Sequence, residues 1–121
     1  MSNVEIVTWN FTLPHNFDPV DQFLMGLKAQ LDLITEKQKH SPSKLHAILD
    51  GREVWRISMQ NRLKLDSFGK RYWKQIKECV MMTTVITCTE DQKAKLSKIY
   101  ESANSSAPYQ VLLEKDISGN N

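Results

Sequence analysis

The sequence is sparing with the residue types that usually give a function away. Two cysteines, Cys79 and Cys88, in 121 residues are too few for the disulfide framework of a small secreted fold. Neither belongs to a Cys-x-x-Cys pair, and His15, His40 and His46 have no metal-ligand spacing. No zinc site or other metal is therefore expected, and no cofactor is implied. The four glycines, Gly26, Gly51, Gly69 and Gly119, stand singly, which excludes a glycine-rich loop of the kind that cradles phosphate. The densest apolar stretch, Val80 to Cys88, is short and rich in threonine, so nothing is expected to span a bilayer. The opening residues Met1-Ser2-Asn3-Val4-Glu5 lack the basic start and apolar centre of an export signal. They point to the cytoplasm, or to the nucleus in a eukaryote.

What is present suits a folded domain. With 40% apolar and 25% charged residues, the chain carries enough core-forming side chains to exclude wholesale disorder. Its length predicts one compact domain over residues 1–114, with 115–121 as a frayed tail.

Periodicity gives the elements. Val7, Trp9, Phe11 and Leu13 fall on one face of a strand over residues 4–13. Asp18-Pro19-Val20-Asp21 reads as a helix start with an acidic cap and a proline at the first helical position. Val20, Phe23, Leu24, Leu27, Leu31 and Ile34 then continue at helical spacing to about Gln38. After the break at His40-Ser41-Pro42-Ser43, Leu45–Leu49 and Arg52–Met59 flank Asp50-Gly51, which predicts a β-hairpin. Residues 60–65 are undecided between strand and loop. Asp66 or Ser67 caps a second helix with the stripe Phe68, Tyr72, Ile76, Cys79 and Val80, and residues 83–88 form a β-branched strand. Thr89 and Gln92 make a capping box for a third helix over 90–102, and 109–113 are a last strand. The order β-α-β-β-α-β-α-β predicts an α+β or α/β fold, a single mixed sheet with about three helices packed against it; its first six elements fit a ferredoxin-like arrangement.

A formal net charge of +2 hides an uneven distribution. Residues 36–77 hold eleven cations against four acids, and all four arginines of the chain; both flanking segments are net acidic. Lys70, Lys74 and Lys77 share a helix face, with Arg71 beside it and Trp73 on its flank. Such a face can lie along a phosphate backbone, while an exposed tryptophan stacks on a base. Arg52, Arg56, Arg62 and Lys64 would extend it. The expectation is a small nucleic-acid-binding protein contacting DNA or RNA through Arg52, Arg56, Arg62, Lys64, Lys70, Arg71, Trp73, Lys74 and Lys77. The alternative is a non-enzymatic module that binds a protein partner, or a second copy of itself, through an exposed edge or the acidic first helix; five methionines and three tryptophans offer contact surface. A third reading, a metal-dependent nuclease, would use Asp50 and Glu53 with Lys64 or Arg56, but Asp50-Gly51 is accounted for by a turn and no third carboxylate is placed to complete a two-metal site. An enzyme is thus the less favoured class: Cys79 lies on a core stripe and Cys88 at a strand end, with no histidine close by in sequence to act as base.

Overall fold

Alternation builds the first strand where the sequence places it. The computed structural model describes residues 3–17, 19–103 and 107–118; the Asp18 cap, the loop residues 104–106 and the two ends of the chain lie outside them. Strand β1 is Glu5–Thr12, helix α1 is Val20–Gln38 with Pro19 at its N-cap, and strand β2 is Ser43–Asp50. Helices α2 (Met59–Arg71) and α3 (Trp73–Cys79) lead into β3 (Val80–Thr87). Helix α4 (Glu90–Ala103), strand β4 (Tyr109–Leu113) and the short helix α5 (Glu114–Ser118) follow.

The expected class stands: one sheet interleaved with helices. Its strands run in the order β1-β2-β3-β4, and every pairing is parallel. Parallel neighbours need right-handed crossovers, and a strand order that never reverses puts each crossover on the same face. Contacts of α1 with α2 and α3, and of α2 with α4, confirm one helical layer. The helix-facing side chains of β2, Ser43, Leu45, Ala47 and Leu49, are all buried, while Lys44, His46, Ile48 and Asp50 on the opposite face are half-buried. On that open face the Thr84 hydroxyl lies 2.9 Å from His46 Nε2 and accepts a hydrogen bond from Gln110 Nε2 at 2.9 Å.

The expected hairpin does not form. Residues 51–58 are loop, so the sheet is parallel rather than mixed and not ferredoxin-like. The reason is topological: β2 is flanked by β1 on one side and β3 on the other, which leaves no edge for a strand over 52–59. Gly51 is needed for closeness instead of for a turn with positive φ. Its N–H donates to Ile86 O, and a Cβ there would sit 3.2 Å from Leu96 Cδ1 and 3.3 Å from Ile86 O. Helix α2 starts seven residues before Asp66. Ser58 caps it by accepting from Asn61 N–H at 3.1 Å, and Asn61 Nδ2 donates to Phe17 O.

Two predicted details of the third helix are refined. Thr89 Oγ1 accepts from Gln92 N–H, as a capping box requires. The Gln92 carboxamide, however, accepts from Cys88 N–H and donates to Arg52 O and Val54 O, so this fully buried side chain ties the 51–58 loop to α4. Among the described residues, no helix is long and apolar enough to cross a membrane.

Candidate ligand chamber

Open α/β sheets usually bind ligands outside the carboxyl ends of their strands, at the point where strand order reverses. This sheet has no such reversal. Its carboxyl edge is also occupied by the chain itself. The Arg52 guanidinium donates to both Asp50 oxygens at 2.9 and 2.8 Å and to Glu114 Oε1 at 2.6 Å. Arg52 holds the Asp50 carboxyl below its usual pKa, and the two carboxylates push the guanidinium's own pKa upward.

The cavity lies elsewhere, between the sheet and its helices, and the register explains it. Trp9, Ala47, Thr83 and Tyr109 stand side by side across the four strands on the helix-facing side. Two small residues between two large aromatics make a concave floor. Each aromatic is held in place from above. A Cβ on Gly26 would come within 2.9 Å of the Trp9 ring, Phe23 stacks on Trp9 at 6.0 Å, and Tyr100 of α4 stacks on Tyr109 at 4.9 Å. The half-open chamber between them has a volume of about 580 Å³, within the roughly 300–1,000 Å³ of small-molecule sites.

Its lining is apolar on every side. Leu24 and Leu27 project from α1, Leu65, Phe68 and Ile76 from α2 and α3, and Leu96 and Ile99 from α4. Thr83 brings a hydroxyl from the floor. Burial pushes the Tyr100 phenol well above the ordinary tyrosine range, so it stays neutral at physiological pH. Of the lining residues only Lys70 and Trp73 are exposed, and they mark the rim at the junction of α2 and α3. Gly69 lies beside them, with no atom within 4 Å of where its Cβ would be. Among the described residues, Lys70 is the one charged residue of the lining.

The nine residues expected to contact nucleic acid are divided among separate places. Arg52 is engaged at the sheet's carboxyl edge, and Lys64 pairs with Asp21 of α1 at 3.1 Å. Arg56 and Arg62 line a smaller pocket of about 260 Å³ with the exposed Trp55 and with Lys95 and Lys98 of α4. The two lysines were hidden in the sequence by an overall acidic C-terminal segment, although their i,i+3 spacing on a helix is legible. Lys70, Arg71, Trp73, Lys74 and Lys77 are all exposed along the end of α2 and along α3. The chain bends at Tyr72, but the bonds Tyr72 N–H to Phe68 O and Ile76 N–H to Tyr72 O carry the helical phase through. Trp73 is 47% exposed, with Lys74 Nζ 5.8 Å from its ring centre.

The nuclease residues are not assembled. Asp50 is engaged by Arg52, Glu53 is exposed in the following turn, and Lys64 is bound to α1. Among the described residues, no three histidine, cysteine or carboxylate side chains gather as a metal site. Cys79 is buried beneath α1, whereas Cys88 is exposed next to the start of α4. Sequence reasoning singled out two rim residues, Lys70 and Trp73, but not the chamber behind them, because a floor of small residues appears only once the strand register is known. No family model, curated protein or solved structure matches this chain.

Proposed function

We propose that the protein is a small-molecule-binding domain whose ligand is an apolar compound held between the sheet and α2–α3. The observation that supports this reading is the chamber of about 580 Å³, with its floor of Ala47 and Thr83 and its apolar walls from four helices. An apolar molecule entering this chamber would take its own surface out of water, which is favourable by roughly 25 cal/mol per Å².

The test is saturable 1:1 binding of a neutral apolar fluorophore such as 1-aminoanthracene, followed by titration and by the perturbation of backbone amides in NMR spectra. Ala47→Leu places a larger side chain in the floor, and Gly69→Leu places one at the open rim. Both should abolish binding while thermal unfolding remains cooperative. Unchanged affinity in both variants would refute the assignment.

A second reading, attachment to DNA or RNA, is favoured by one observation: Lys70, Arg71, Lys74 and Lys77 have no carboxylate partner among the described residues and flank a half-exposed tryptophan. Lys74→Glu with Lys77→Glu should then abolish binding to a generic oligonucleotide at low salt, and the wild-type affinity should fall steeply as salt is added. These two lysines do not line the chamber, so the pair of variants separates the two readings.

A further inference from the structure

Lys70 suggests what kind of ligand enters. We propose that the chamber takes a single-chain aliphatic carboxylate, with its hydrocarbon inside and its carboxylate at the rim on the Lys70 ammonium; this rests on the chamber reading above. Three observations converge on it.

The walls are aliphatic and aromatic, and the polar groups along them are few, so the lining matches a flexible hydrocarbon better than a heterocycle with a fixed hydrogen-bonding pattern. The one charged lining residue is a cation, exposed at the mouth, where a headgroup can bind without being taken out of water. No carboxylate among the described residues pairs with Lys70, and the exposed Arg71, Lys74 and Lys77 follow it in the chain and add positive potential nearby. Trp73 completes the rim with an amphipathic ring beside the headgroup position. Gly69 fits the same picture. It is itself part of the lining next to Lys70, and a Cβ there would meet nothing within 4 Å, so the position offers open space beside the headgroup site.

The experiment compares three ligands of equal chain length by calorimetry: dodecanoate, its methyl ester and dodecylamine. A single charge-assisted contact at a partly solvated rim is worth roughly tenfold in affinity, so dodecanoate should bind about tenfold more tightly than the ester. Lys70→Gln should remove that preference and leave the affinity for the ester unchanged. Lys70→Glu should invert it, so that dodecylamine binds best; a merely structural lysine would not produce this reversal. Equal binding of dodecanoate and ester to the wild type overturns the headgroup assignment and leaves the chamber reading intact. A carboxylate preference that survives Lys70→Gln also overturns it. Binding of none of the three overturns both.

Discussion

Two helical units cover the same face of the sheet in different ways. Helix α1 buries Val20, Phe23, Leu31 and Ile34 along its length, and Leu31 and Ile34 are fully enclosed with Leu45, Cys79 and Val80. In α2 the one buried residue is Asn61, a polar anchor near its start, while Leu65 and Phe68 face the chamber half-buried and Leu63 points into solvent. Both helices are made of ordinary helix-forming residues. The difference lies in how completely they are packed: the second half of α1 is enclosed around Leu31 and Ile34, whereas the apolar side chains of α2 and α3 border the chamber over Ala47 and Thr83. The lesson is that α1 carries more of the buried core, whereas α2–α3 form a roof that anchors through Cys79 and whose Leu65, Phe68 and Ile76 pack only partly against the core and partly line the chamber.

The sharpest way to break this comparison is to truncate one leucine on each side. Leu31→Ala should cost about 3–4 kcal/mol in urea denaturation, as for a fully enclosed leucine, whereas Leu65→Ala should cost about 1 kcal/mol or less because the side chain is only partly removed from water. Leu65→Ala should instead lower affinity for an apolar ligand. Equal destabilisation by the two would mean that α2 is as much a part of the core as α1.

The next largest effect concerns how the roof is tethered. From a buried position Gln92 holds the loop leading into α2 by two hydrogen bonds, to Arg52 O and Val54 O, and accepts a third from Cys88 N–H. Gln92→Leu leaves one donor and two acceptors without their partner and should cost about 2 kcal/mol. Hydrogen exchange should locate the loss: amides of 52–58 and of the first turn of α2 should gain exchange, while those of α1 keep theirs. A smaller and opposite effect is expected at Gly69. Gly69→Ala should raise stability by roughly 0.5–1 kcal/mol, since alanine suits a helix interior better and its Cβ meets nothing within 4 Å. A decrease on thermal or urea unfolding would show that Gly69 serves the fold rather than the opening.

The two units also differ in how far the sequence betrays them. The course of α1 is legible because a long apolar period meets the core, although Pro19 is its N-cap rather than its first helical residue. Strand β1 is legible because its alternation sets a half-buried face against an exposed one. Residues 52–59 mislead for a physical reason: Glu53, Trp55, Ile57 and Met59 alternate like a strand, yet the pairing edges of β2 are already taken by β1 and β3, which only long-range topology decides. The start of α2 was equally hidden, because its cap Ser58 acts together with Asn61, and Asn61 is fixed by Phe17, more than forty residues away. Of the candidate site, the cations were visible as a charge run. Their partition between ion pairs at Asp50, Glu114 and Asp21 and the unpaired lysines of the roof was not, since a pair between distant segments leaves no local pattern.

The smallest expected effect lies at the seam where anchor and roof meet. Lys28 of α1 donates to Asp32 at 2.6 Å and to Gln75 of α3 at 3.1 Å, and Gln75 donates in turn to Asp32 and Thr35 at 3.0 Å each. The hydrogen bonds from Lys28 and then Gln75 hold the Asp32 carboxyl below its usual pKa. A carboxyl whose folded pKa lies below its unfolded value, about 3.9, stabilises the fold fully above that value and loses the contribution as pH falls through the folded one. Acidification below about pH 4 should therefore loosen α3 against α1 before the core of α1 responds, and amides of 74–79 should exchange faster while those of 31–35 do not. Asp32→Asn should make this local loosening independent of pH. The Arg52–Asp50 pair at the far edge of the sheet, which titrates in the same direction, is the internal control: Arg52→Gln should change the acid response of the whole fold and leave the α1–α3 seam as it was. If Asp32→Asn leaves the acid response of α3 unchanged, the seam is held by packing alone, and the separation of anchor from roof loses its electrostatic component.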